Sequence, residues 1–350
     1  MALATLATPA AASALPPDTR VETYSGGPTF PVEMAWAPGT NRIFFIERFT
    51  GDVRILDGRR LLDVPCVHLD VANSGERGGL GLALDPDFAH NHRLYVFYTN
   101  ASPLENRLTR FVVKGNRCVS PETILGDLRA EGENGRHNGG KLLFYGGKLF
   151  VATGDAESEE HAQDLGDPEA KILRLNPDGS IPAGNPSSEP GNPSPVWAYG
   201  LRSPFGLARI PGRHVIYATD NGPECDDKLI IVQKGANYGW GPGAGCGQPP
   251  IGPDPRPSLV SWTPPIAPTD LLWYSGRMKS LAGALYMGDY NQGRIHRFDL
   301  DPSRTRVERE TIVYDPGTGD AEGILDVSVG PGGWLYFVTP TAIKRIVPAG

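Results

Sequence analysis

One motif recurs six times in this chain, and it decides what the chain can fold into. A short apolar-aromatic strand is followed by a polar turn and a second strand that often carries a basic residue. The first strands read IFFIE, LYVFY, LFVAT, VIYAT, LYMGD and LYFVT, and their partners VRIL, LTRF, ILRL, LIIV, IHRF and IKRI. Such a unit cannot bury both of its faces alone, so the copies must stack on one another. The pattern predicts an all-β fold, a six-bladed β-propeller, in which each copy supplies two strands of a four-stranded blade. The residues between copies would supply the rest. A β-sandwich with long loops leaves the sixfold recurrence unexplained.

The 350 residues include 44 Gly and 34 Pro, spread along the whole length as many turns require. No linker or low-complexity tract interrupts them, so residues 16–350 read as one propeller domain. Residues 1–15 are uncharged and rich in Ala and Thr. Ala12-Ser13-Ala14 there resembles a small-residue cleavage site, although a positive n-region is missing. A net charge of −7 without a Lys/Arg run excludes the usual electrostatic footprint of nucleic-acid binding. No stretch approaches the roughly 20 apolar residues of a membrane-spanning helix. The four cysteines form no C-x-x-C pair, and an even number points to two disulfides in a secreted or periplasmic protein. Three pairings are possible. Cys225 and Cys246 lie close in sequence and are favoured as one bridge, leaving Cys66 with Cys118.

Propeller ligands sit at one end of the channel, so the loops and long inter-copy segments should carry the chemistry. In Arg136-His137-Asn138-Gly139-Gly140 glycines flank an imidazole, and Asp155 closes the next strand. A histidine backed by a carboxylate is a general base of fixed tautomer. Arg202, in YGLRSPFGL, is a guanidinium held by turn formers and suits a carboxylate or developing oxyanion. Asn221-Gly222-Pro223, followed by Asp226 and Asp227, is a tight turn with oxygens that suit Ca²⁺ but no EF-hand spacing. GERGGLG at 75–81 lacks the Lys-Ser/Thr ending of a phosphate loop. The rigid PPIAPTD at 264–270 presents Thr269.

From about Pro31 to Ile346 these motifs, in this order, resemble the soluble pyrroloquinoline quinone (PQQ) dependent glucose and aldose sugar dehydrogenases, including sorbosone-dehydrogenase-like proteins. The motifs are GERGGLGLALDPDF, RHNGGKLLF with ATGD, KILRLNPDGSIPAGNP, YGLRSPFGLA, TDNGP with GANYGW, and GDYNQGRIHRFDLD. The resemblance implies PQQ over the channel mouth, an aldose or related hydroxy compound as substrate and a soluble electron acceptor. It implies His137 as the base, Asp155 as its orienting carboxylate and Arg202 beside the reactive carbonyl. The carbonyls of Gly222 and Pro223 would ligate a Ca²⁺ that polarises the quinone. Thr269 would contact the cofactor, and Glu76 stands where the family often has Gln. Tyr238 of NYGW matches a position near a second, structural calcium, whose glutamate is replaced by Lys228. Trp240, Tyr290 and Phe205 are candidates for stacking on a sugar. A monomer or homodimer is expected.

The chain departs from that pattern where a tricarboxylate needs cations. The family's lysine falls at Asn291 or Gln292, both arginines of Arg-x-Arg-Asp-Val are absent from Gly323-Ile324-Leu325-Asp326-Val327, and Ser203 replaces an asparagine. Each charge-assisted bond lost should weaken binding by roughly 1.5–3 kcal/mol. Arg77, Arg136 and Arg294 are the candidate substitutes. Two other readings stay open. One is a non-catalytic propeller binding a glycan or protein. The other is a calcium-dependent lactonase-type hydrolase using Asp155, Asp220, Asn221 and Asp289.

Overall fold

Every copy of the motif lies in its own sheet, and the six sheets form a ring. The computed structural model describes residues 15–186, 193–317 and 321–350. Of the tail read at 1–15, residues 1–14 lie outside the described residues. Each blade runs outward from its first strand by antiparallel pairing. Blade 1 comprises Pro31–Trp36, Arg42–Glu47 and Asp52–Asp57, with Arg60–Leu61 and Val67–His68 outermost. Blade 2 comprises Gly79–Leu84, Arg93–Asn100, Glu105–Lys114 and Arg117–Leu128. Blade 3 comprises Gly139–Tyr145, Lys148–Thr153, Lys171–Leu175 and Val196–Tyr199. Blade 4 comprises Gly206–Arg209, Ile216–Asp220, Asp227–Val232 and Val260–Trp262, and blade 5 Pro268–Tyr274, Ala284–Asp289, Ile295–Leu300 and Val307–Tyr314. Blade 6 takes Asp326–Val329, Leu335–Thr339 and Ala342–Pro348 from the end of the chain and Thr19–Ser25 from its beginning. That last pairing closes the ring with hydrogen bonds rather than packing alone.

The sixfold motif supplies the second and third strands of each blade. Both faces of those strands are buried, which is why they read as continuous apolar runs instead of alternating. In blade 1, Phe44 and Ile46 join a cluster with blade 2, whereas Ile43 and Phe45 join one with blade 6. The other four interfaces are filled likewise, with Val151 facing blade 2 and Ala152 facing blade 4 from one strand of blade 3. Cys66 bonds to Cys118 between blades 1 and 2, and Cys225 to Cys246 between two loops of the site face. Among the described residues no helix is long and apolar enough to cross a membrane.

The first strand of each blade lines the channel. Its start pairs with the end of the second strand, as Gly139 with Thr153 and Pro268 with Asp289. Residues before first strands and after second strands therefore meet at one end of the ring.

Candidate functional site

That end of the ring holds two adjoining chambers of about 500 and 250 Å³. They share Arg136, His137, Arg202 and Pro223. Glu76, Ser203, Gly222, Thr269 and Asn291 line the larger one, and Asp155, Glu157, Glu159 and Trp240 the smaller. Of the residues expected to serve the dehydrogenase chemistry as base, orienting carboxylate, cofactor contact or calcium ligand, Tyr238 lines neither chamber. Its ring packs between blades 3 and 4. Its hydroxyl is taken by the Ile231 carbonyl at 2.5 Å and the Gln233 N–H at 2.9 Å. Lys228 pairs with Asp226 at 3.0 Å.

His137 precedes the first strand of blade 3 and Asp155 follows the second. Their side chains meet with Nδ1 2.7 Å from Oδ1. The carboxylate can only accept, so Nδ1 carries the proton and Nε2 is left as the acceptor nitrogen. Asp155 Oδ2 accepts the Trp240 indole N–H at 2.7 Å, and the Glu157 amide donates to Oδ1 at 2.9 Å. The His137 amide donates to Glu76 Oε2 at 2.8 Å. The backbone is bent to achieve this: His137, Ala156 and Glu157 have φ of 58°, 48° and 66°. Non-glycine residues there cost roughly 1–2 kcal/mol each, and such strain clusters at functional sites. Gly154 allows the close approach, because a Cβ there would lie 1.8 Å from the His137 carbonyl oxygen.

Arg202 ties this base to blade 4. Its carbonyl accepts the Asp155 N–H at 2.9 Å and its own N–H donates to Asp220 Oδ1 at 3.0 Å. Burial pushes the Asp220 carboxyl up to about 6, against the opposing pull of Lys228 and the N–H groups of Ser203 and Arg202. The guanidinium donates to the Gly222 carbonyl at 2.6 Å and lies 5.5 Å from the Trp240 ring centroid. Asp227 fixes the wall beside it, accepting the N–H groups of Gly222, Ile266 and Ala267, each at 2.8 Å. Ser203 Oγ is buried without a hydrogen-bond partner. Thr269 donates its hydroxyl to the Ile324 carbonyl at 2.8 Å, and Asn291 its amide to the Pro265 carbonyl at 3.1 Å.

The wall that lacks the family's cations is closed by an aromatic ring. A Cβ on Gly323 would lie 2.2 Å from Tyr290 Cδ2, so no longer side chain fits at 323 while Tyr290 holds its place. Of the three candidate substitute arginines only Arg136 lines the chambers. Arg77 is held by the carbonyls of Ala130 and Gly132, and Arg294 by Asp315 at 2.8 Å. Lys141 and Glu33 line the larger chamber, where Lys141 Nζ lies 2.5 Å from Glu33, 2.7 Å from Asp270 and 3.6 Å from Asp326. Those carboxylates come from blades 1, 5 and 6, and the ammonium occupies the place a metal ion would need.

The sequence profile of the glucose/sorbosone dehydrogenases matches residues 29–347. The chain belongs to that family. It is 28% identical over 347 residues to the aldose sugar dehydrogenase YliI of Escherichia coli, covering 93% of this chain and 91% of that one. It is 29% identical over 245 residues to quinoprotein glucose dehydrogenase B of Acinetobacter calcoaceticus, covering 60% and 50% respectively. The PQQ-bound aldose sugar dehydrogenase of Streptomyces coelicolor superposes with a TM-score of 0.77 at 25% identity, over 95% of this chain and all of that one.

For a glucose/sorbosone dehydrogenase family member, three site features escaped the sequence reading. Trp240 was read as a sugar platform, not as a donor to Asp155. Asp227 was read only as part of a turn whose oxygens suit Ca²⁺, not as the carboxylate that fixes the N–H groups of Gly222, Ile266 and Ala267. Arg48, which lines the larger chamber, was not singled out, although it directly follows IFFIE where the other five copies carry Thr, Gly, Asp, Tyr or Pro.

Proposed function

We propose that the protein is a PQQ-dependent dehydrogenase of an aldose sugar or related hydroxy compound, with His137 as general base. One observation carries this reading: the His137–Asp155 pair stands where the two chambers join, with the Arg48, Arg136 and Arg202 side chains around them and no ion pair to any of these three among the described residues. Unpaired guanidinium groups beside a cavity favour a polyanion. Ser203 Oγ, buried without a partner, is a further polar group awaiting a ligand. PQQ, when bound, supplies the two-electron acceptor that no side chain offers. In the oxidation of a hydroxyl, the O–H proton passes to His137 Nε2 while the C–H hydrogen leaves with its electron pair. Asp155 stabilises the imidazolium so formed. The smaller chamber, with Trp240, Glu157 and Glu159, offers the aromatic face and acceptors that suit a sugar.

The Gly222 and Pro223 carbonyls would hold a calcium ion beside a bound acid, the other lone pair of the Gly222 oxygen being taken by the Arg202 guanidinium at 2.6 Å. They are neutral, and the nearby Asp227 carboxylate is already committed to three N–H groups. Ca²⁺ takes six to eight oxygens, so the cofactor and water would complete the shell. The lactonase reading needs free carboxylates from several blades. Asp155, Asp220 and Asp289 are instead bonded to His137, Arg202 and His296. Two disulfides support a secreted or periplasmic location.

The test is calorimetric titration with PQQ and Ca²⁺, followed by dye reduction with a panel of aldoses. Wild-type protein should bind and turn over, and His137→Ala should bind without turnover. No binding at micromolar PQQ rejects the proposal. A glycan bound without PQQ would select the non-catalytic reading.

A further inference from the structure

We propose that Arg48 is an anion anchor of the larger chamber, taking a carboxylate of the bound planar acid in a space where the family's usual cations are missing. This rests on the cofactor reading above and adds a binding residue to it. Arg48 directly follows the second strand of blade 1. Its guanidinium lies 4.6 Å from the Phe49 ring centroid and 5.3 Å from that of Phe30, so two aromatic rings fix its position. Its hydrogen bonds go to neutral acceptors, the carbonyls of Arg77 and Gly75. No carboxylate lies within ion-pair distance of it among the described residues, whereas half-buried Arg54 and Arg294 each have one. The larger chamber's ammonium, Lys141, is tied to three acids and has no charge to spare.

A half-buried cation with no carboxylate in ion-pair contact is the natural partner of an anion in the chamber beside it. Burial pushes the Arg48 guanidinium below its usual pKa, with Glu76 and Tyr290 opposing. Arg48 lines the same chamber as Tyr290, Asn291 and Leu325, so its charge faces the space whose wall these residues leave neutral. An arginine suits the task because its planar fork grips a carboxylate through two N–H groups.

The probes are PQQ and its uncharged trimethyl ester, titrated with Ca²⁺ into wild-type protein, Arg48→Gln and Arg48→Lys. Arg48→Gln should weaken PQQ binding at least about tenfold, as loss of a charge-assisted bond implies. Arg48→Lys should fall in between, and all three proteins should bind the ester alike. If Arg48→Gln unfolds, judged by thermal melting, Arg48→Lys decides alone through the ratio of acid to ester affinity. Equal affinity of all variants for PQQ overturns the anchor, as does an equal loss for acid and ester, which would mean packing rather than charge. Wild-type protein that binds no PQQ brings down the cofactor reading itself, and that result is distinct from either.

Discussion

The Trp240 indole holds the one Asp155 oxygen that His137 does not touch, at 2.7 Å from Nε1 to Oδ2. The carboxylate is thus gripped on both oxygens and cannot turn away from the imidazole. Asp155→Asn should cut turnover by roughly 10²- to 10⁴-fold, the range general base catalysis supplies, because the amide no longer fixes the tautomer. PQQ affinity should stay within a few fold. Trp240→Phe removes one hydrogen bond worth about 1 kcal/mol, so turnover should fall only about fivefold. Steady-state kinetics beside cofactor titrations would check both. An Asp155→Asn enzyme of wild-type rate would remove the carboxylate from the mechanism.

Calcium should bind weakly by itself and tightly with the cofactor. The Gly222 carbonyl is engaged by Arg202 at 2.6 Å, and the Asp227 oxygens are spent on backbone N–H groups. Without a carboxylate ligand from the protein, Ca²⁺ alone should show a dissociation constant weaker than about 10⁻⁴ M. Adding PQQ should tighten it strongly, and calorimetry in either order of addition reads the difference. Tight calcium binding to the cofactor-free protein would contradict the bridging role.

The propeller was legible because its middle strands are apolar on both faces, and a run such as IFFIE has no alternation to be misread. The first strands were not. PVEMAW, GLGLAL and DVSV are short, and they carry glycines or charged residues because they line a channel. His137 and Asp155 stood out because a single turn of the chain returns one to the other. Glu33, Lys141, Asp270 and Asp326 did not, since closure of the ring, not local sequence, brings them together. For the same reason the pairing of Trp240 with Asp155, 85 residues apart, left no trace in spacing.

Lys141 should matter more for stability than for chemistry. Burial alone would lower its pKa, but Asp270, Glu33 and Asp326 outweigh that and raise it, so the side chain stays charged. Lys141→Met leaves three buried carboxylates without a cation, and removing one partner of a buried pair costs about 3–5 kcal/mol. Adding Glu33→Gln to Lys141→Met should change stability little further at neutral pH, because Glu33 already holds its proton there. Denaturant unfolding of the two variants measures this. A Lys141→Met protein as stable as wild type would show that the cluster contributes nothing.

The same cluster sets a pH dependence. Burial pushes the Glu33 carboxyl from 4.5 up to about 8, with Asp270 adding to the shift and Lys141 opposing it. Between those two values the folded protein keeps a proton that the unfolded chain has released. Unfolding is then favoured as pH rises through that window, and stability falls with a limiting slope of about 1.4 kcal/mol per pH unit for one group. Asp220 and Glu169 are also raised by burial, to about 6 and about 7, and add slopes of the same sign. The informative quantity is therefore the difference between wild type and Glu33→Gln, whose amide cannot titrate. Urea unfolding at pH 5, 6, 7 and 8 should show the variant losing less stability than wild type across the series. Parallel curves would mean that Glu33 is ionised throughout, with Lys141 rather than a retained proton compensating its charge.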